Sequence, residues 1–176
     1  MYLNNGNLVI RDAAAGDAQL LCKWWNDGAI MAHAGFPRGI GTTEQEVRSK
    51  LQSSAGDKRQ GRLILEIDAI PVGEMSYRAT AEHTAEIGIK ICDSSAQNKG
   101  AGTRFLTLLI RHLFEELGYL RIILDTNLKN TRAQHVYETI GFRQTAVHYN
   151  SWKDQLGVWQ SSIDYELAAE GWVNHF

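Results

Sequence analysis

The chain is short of several things at once. Its 176 residues hold two cysteines and two prolines, and neither a basic run nor an apolar stretch of membrane-spanning length occurs. Cys22 and Cys92 are too few for a disulfide scaffold, and each sits in an apolar run where a buried, reduced thiol is expected, so the compartment is read as reducing. Pro37 and Pro71 fall in turn-like contexts and build no linker. A net charge of −2 argues against nucleic acid as the main partner. The start Met1-Tyr2-Leu3-Asn4-Asn5 lacks the basic and apolar regions of a signal peptide, which points to a cytoplasmic protein without a membrane partner. His33, His83, His112, His135 and His148 form no closely spaced ligand pair, so no metal is expected.

What is present suits one core. Apolar residues make up 44% and charged residues 22%, and a single domain over 1–176 is expected. Asn7 to Arg11 reads as a first strand, and Leu20, Leu21, Trp24 and Trp25 recur at helical spacing. Ala29 to Gly41 is a loop or broken helix; Thr42, Thr43 and Glu46 then mark a capped helix running to about Ser53. Leu63–Ile67 and Val72–Tyr77 bracket a turn at Ala69-Ile70-Pro71, and Ala85 to Cys92 gives a further strand. Leu106, Leu109, Ile110, Leu113 and Leu117 mark a core-facing helix closed by Gly118. Leu120–Leu124 is the next strand, Asn130 caps a helix stopped by Gly141, and Arg143–Trp152 and Val158–Leu167 make a final hairpin. In that last strand Trp159, Ile163, Tyr165 and Leu167 share the buried face. Trp24 and Trp25 are adjacent and cannot both face the core; one of them suits an acceptor pocket or a homodimer contact.

The strongest signal is Gln97-Asn98-Lys99-Gly100-Ala101-Gly102-Thr103, between the strand ending at Cys92 and the long apolar helix. Glycines let backbone amides approach an anion, and a helix start adds unpaired N–H groups and the positive end of the dipole. The segment reads as a pyrophosphate cradle. Its lysine precedes the glycine, so the nucleotide-binding Gly-Lys-Ser/Thr pattern of a phosphotransferase fails.

A second block follows, in which Asn130, Ala133, Tyr137, Gly141 and Phe142 stand at the steps Asn-x-x-Ala-x-x-x-Tyr-x-x-x-Gly-Phe. With Gln97, Gly100 and Gly102 in the pattern Gln/Arg-x-x-Gly-x-Gly/Ala, the chain resembles the GNAT superfamily of acyl-CoA-dependent N-acetyltransferases. Within it, the likeness is nearer to the RimJ/RimL-type branch, with its ribosomal-protein and polyamine acetylases, than to the histone branch. The resemblance implies an α/β fold with a mixed, largely antiparallel sheet of about seven strands, splayed between the fourth and fifth and flanked by about four helices.

The resemblance also implies the chemistry. Acetyl-CoA would be the cosubstrate, its pyrophosphate wrapped by amides of Asn98, Lys99, Gly100, Ala101, Gly102 and Thr103, with Gln97 shaping the loop. Pantetheine would pair in the splay, and an N–H near Ile91 or Cys92 would face the thioester oxygen. Asn130 would reach the pantetheine arm from the helix that carries Ala133. Tyr137 would donate to the departing thiolate, and Glu86 is the candidate base. Cys92 as an acyl carrier is disfavoured by its apolar neighbours. The acceptor would be a small-molecule or peptide amine: a protein N-terminus, a polyamine, an aminoglycoside or an amino acid, in a cleft between the Trp24-to-Gly41 region and the final hairpin. The rival from another class is a non-catalytic acyl-CoA sensor on the same fold, against which stands the set Glu86, Asn130 and Tyr137.

Overall fold

The computed structural model describes residues 1–174. The chain runs through β1 (Tyr2–Asn5), β2 (Leu8–Asp12), α1 (Ala18–Trp25), the short α2 (Gly28–Met31), α3 (Glu44–Ser54), β3 (Gln60–Ile67), β4 (Ile70–Ala81) and β5 (Thr84–Ile91). There follow α4 (Ala101–Glu115), β6 (Arg121–Asn127), α5 (Thr131–Ile140), β7 (Arg143–Lys153) and β8 (Trp159–Ala168). They build an eight-stranded sheet in the order β1-β2-β3-β4-β5-β6-β8-β7. Every neighbouring pair is antiparallel except β5 and β6.

The parallel ladder between β5 and β6 is short. It joins Thr84–Glu86 to Arg121–Ile123, after which Ile87–Ile91 keeps only β4 as partner and Leu124–Asn127 only β8. The sheet therefore opens like a V along half of its middle seam. The expected splay is present, displaced to the fifth and sixth strands because β1 adds a strand. Tyr2 is 65% exposed in that strand, so no buried alternation announced it.

The two faces of the sheet differ. One carries Leu63, Leu65, Met75, Tyr77, Ile87, Ile122, Leu124, Ile163 and Tyr165, packed under α4 and α5 with Phe105, Leu106, Leu109, Ile110 and Leu113. Over the other, α1 and α3 bring Leu21, Trp24, Val47 and Leu51 onto Ile64 and Cys92. That second cluster covers only part of its face and leaves a polar stretch open along the seam. Thr43 caps α3 in a full capping box with Glu46, as the sequence predicts.

Some expectations shift by a residue or two. The β3–β4 turn is Asp68-Ala69, both at positive φ, so Ile70 and Pro71 belong to β4. Leu117 lies past the end of α4 and is exposed, outside the buried stripe. Trp159 sits at the mouth of the last hairpin, 53% exposed beneath the Lys153 ammonium, and not on the buried face. No helix among the described residues is long and apolar enough to cross a membrane.

Candidate active site

A cleft of about 1250 Å³ follows the open seam. Its walls are the diverging ends of β5 and β6, the loop before α4, the start of α5, α2 with the turn after it, and Trp152 of β7.

The loop before α4 is shaped locally. Asn98 and Gly100 take φ of 60° and 75°, left-handed conformations that asparagine tolerates and glycine adopts freely. Turns of this kind make successive amides converge. Gly100 is the N-cap of α4 and has no side chain to offer, so the first-turn amides of Ala101, Gly102 and Thr103 have no side-chain cap. A Cβ built on Gly100 or Gly102 would meet no other part of the protein within 4 Å. Gln97 ties this loop to the strand: its amide nitrogen donates to the Ile91 carbonyl at 2.9 Å. Arg132 at the start of α5 donates to the side-chain oxygens of Gln97 and Asn98 at 3.3 and 3.2 Å. These uncapped amides at a helix start, beside an arginine, suit a pyrophosphate.

Farther along the seam, backbone groups take over. The Cys92 N–H donates to the Val72 carbonyl at 2.8 Å. Adjacent strand residues direct their backbone groups to opposite edges, so Ile91 turns its N–H to the opened side. Of the two residues expected to offer an N–H to the thioester, Ile91 faces the opened side and Cys92 is committed to β4. The Cys92 thiol is buried, outside the cleft lining, and burial pushes it up to about 12. It is therefore ill suited to carry an acyl group.

Asn130 caps α5, accepting from the Ala133 N–H at 3.3 Å and donating to Thr126 Oγ1 at 3.3 Å. Both Asn130 and Ala133 line the cleft, as does Tyr137 one turn on. The Tyr137 ring is wedged between Phe142 and Tyr165 at centroid distances of 5.9 and 5.7 Å. Burial first, and the charge of Asp125 second, push its phenol up to about 12, so it is a neutral donor at physiological pH.

Glu86 stands elsewhere. Its carboxylate accepts two hydrogen bonds from the Arg78 guanidinium, at 2.7 and 3.1 Å. It lines a second cleft of about 550 Å³ with Trp25, Lys50, Arg62 and Ser76. The two clefts meet at Gly88 and Asp125, which line both.

Several functional candidates went unread in the sequence. Asp125 is one, a carboxylate on β6 with no pattern to single it out. Glu74 is another: fully buried, it accepts from Trp25 Nε1 at 2.9 Å, Lys90 Nζ at 3.2 Å and Arg62 Nη1 at 3.0 Å. The arginine also lies over the Trp25 ring, 5.2 Å from its centroid. Trp25, the half-buried member of the adjacent pair, lines this second cleft. On the far wall Trp152 lies against Gly35, where a Cβ would come within 2.6 Å of the ring. Gln155, in the last hairpin, accepts from the Arg38 N–H and donates to the Gly39 carbonyl. The hairpin and the loop after α2 are thereby clasped together.

The family model described as an acetyltransferase (GNAT) domain matches residues 7–143. A curated relative, mycothiol acetyltransferase from Cellulomonas flavigena, is 36% identical over 77 residues. That stretch is 44% of this chain and 22% of the relative's length. Spermidine N-acetyltransferase from Vibrio cholerae, solved with CoA and spermine, superposes at a TM-score of 0.84 with 19% identity, over 94% of this chain and 98% of that one. A GNAT-family acetyltransferase from Bacillus anthracis gives 0.80 with 24% identity over 97% and 99%. The ribosomal alpha-N-protein acetyltransferase RimL, in complex with coenzyme A, gives 0.83 with 17% identity over 96% and 98%. At such identities these structures show a shared fold and nothing finer.

Proposed function

The chain belongs to the GNAT acetyltransferase domain family, and from that premise we propose that it transfers an acetyl group from acetyl-CoA to a primary amine by direct attack. One observation carries the reading: a single cleft joins the uncapped start of α4 to the opened edge of β5 and ends at Tyr137. Acetyl-CoA supplies an activated acyl thioester. The amides of Gly100 to Thr103, with Arg132 nearby, are suited to hold its pyrophosphate, and Asn130 and Ala133 to border its pantetheine arm. The Ile91 N–H offers a fixed dipole to the oxygen that gains charge. Tyr137 donates a hydrogen bond to the leaving sulfur; its high pKa keeps the proton on oxygen until sulfur becomes strongly basic.

The acceptor cleft, between Trp25 and the clasped hairpin, is open and mixed in charge. A protein N-terminus, a polyamine, an aminoglycoside or an amino acid each remain within the proposal, as does nearer kinship with ribosomal-protein and polyamine acetylases. The test is incubation with acetyl-CoA and one amine of each class, reading free thiol and the mass of the product. Thiol release matched by an added acetyl group on one amine supports the proposal. Acetyl-CoA binding with neither signal would make the chain a sensor.

A further inference from the structure

The reaction needs an amine free of its extra proton, and the arrangement along the seam singles out where that proton goes. We infer that Asp125, and not Glu86, is the catalytic residue that takes the proton from the acceptor ammonium. This rests on the acetyl-transfer reading above.

Four observations on geometry and charge converge. Asp125 lies on β6 two residues beyond Ile123, the last residue paired to β5, where the strands have parted. Among the described residues it is the one ionisable side chain that lines both clefts, the one with the proposed cradle and Tyr137 and the one lined by Trp25. With Gly88, it borders the place where the second cleft meets the seam. Asp125 and Tyr137 line the same cleft, which Glu86 does not, so Asp125 and the sulfur-side donor face one space. Finally, Glu86 is held by two hydrogen bonds from Arg78, while no side chain among the described residues donates to the Asp125 carboxylate.

The groups facing Asp125 set its proton affinity. Protein crowding acts first, and Asp164 on β8 and Glu86 on β5 add like charge, so the carboxyl is held above its ordinary range, opposed by its own backbone N–H and by Arg78 on β4. Asp164 is itself bonded to His148 of β7 at 2.7 Å. Solvent still reaches Asp125 through the cleft, which gives the accepted proton an exit. The step balances as follows. One ammonium proton passes to the Asp125 carboxylate, directly or over one water. The freed nitrogen pair bonds to the thioester carbon and the carbon–sulfur bond breaks. Sulfur gains a proton as nitrogen sheds a second, and Asp125 returns its own proton to solvent.

The test compares the unmutated protein, Asp125→Asn and Glu86→Gln in kcat/KM against pH, with the panel amine that turns over fastest. Asp125→Asn should lose on the order of a hundredfold near pH 6.5, shrinking to under about tenfold near pH 9.5, where free amine is plentiful. Glu86→Gln should displace the whole profile without changing its shape. The acetyl-CoA-induced rise in melting temperature should survive in Asp125→Asn, which shows that the cradle and fold are intact. A uniform loss in Asp125→Asn, or a loss confined to low pH in Glu86→Gln, overturns the assignment and leaves acetyl transfer standing. An unmutated protein that transfers to no amine overturns both.

Discussion

Replacing Gly100 by valine separates the backbone conformation of the cradle from its mere openness. Gly100 has φ of 75°, and a Cβ there meets no other part of the protein within 4 Å. The cost to the folded protein is therefore conformational, about 1–2 kcal/mol for a branched residue held left-handed. In a chain of this size 1 kcal/mol moves the melting temperature by about 2–4 °C, so the ligand-free variant should melt about 2–8 °C lower. Ligand at a hundred times its dissociation constant adds about 2.7 kcal/mol, a rise of about 5–11 °C in the unmutated protein. Valine relieves its strain by rotating out of the left-handed region, which turns the neighbouring amides away, so most of that rise should vanish. Gly102→Ala is the control. Gly102 is helical and equally open, and the family pattern admits alanine at this step. It should raise the ligand-free melting temperature through a gain of up to about 1 kcal/mol in helix propensity, and keep the ligand shift. The assay is thermal denaturation with and without saturating acetyl-CoA. An unchanged ligand shift in Gly100→Val would refute the cradle, and an equal loss in Gly102→Ala would mean that space rather than amide direction matters.

Tyr137→Phe keeps the packing against Phe142 and Tyr165 and removes one donor, so acetyl-CoA affinity should hold while kcat falls on the order of tenfold to a thousandfold; unchanged turnover would assign sulfur's proton to water. Glu74→Ala strands Arg62 and Lys90 beside a buried gap and frees Trp25 Nε1, and should lower stability in urea by about 3–5 kcal/mol; a loss under about 1 kcal/mol would show that the network is dispensable. The Arg11 guanidinium, bonded to Asp17 at 2.8 and 2.9 Å, holds that carboxyl below its ordinary 3.8. A depressed carboxylate contributes stability that is complete above its unfolded pKa and lost as pH falls through the folded one. Melting temperatures should therefore drop below about pH 4, less steeply in Asp17→Asn, and parallel curves would remove Asp17 from the acid transition.

What the sequence disclosed and what it hid follow from range. The junction proposed as the cradle is legible because its parts are local: glycines between a strand and a helix, an apolar helix behind them, an asparagine cap a fixed step before Tyr137. The capping box at Thr43 and the buried faces of α4 and β8 are likewise set by neighbours in sequence. β1 was missed because an exposed edge strand buries nothing and so carries no alternation. The apolar periodicity through Leu117 and Trp159 runs past the points where α4 ends and the last hairpin opens, so both lie outside the buried faces it predicts. Arg132 lay inside the second block, yet its bonds to Gln97 and Asn98 cross two elements and leave no trace in spacing.

The difference between Asp125 and Glu86 has the same origin and bears most on function. In sequence both are lone carboxylates on strands, and Glu86 has the stronger claim because the family pattern points to it. Strand pairing separates the two. Glu86 lies opposite Arg78 in the β4–β5 register, so the fold supplies its partner. Asp125 lies opposite Asp164 in the β6–β8 register, so the fold supplies a like charge instead. Burial and the facing Asp164 carboxylate both raise the proton affinity of Asp125 at the mouth of the cleft. If the acceptor proton goes where proton affinity and access coincide, the register of two strand pairs, which no local pattern encodes, decides which residue takes it.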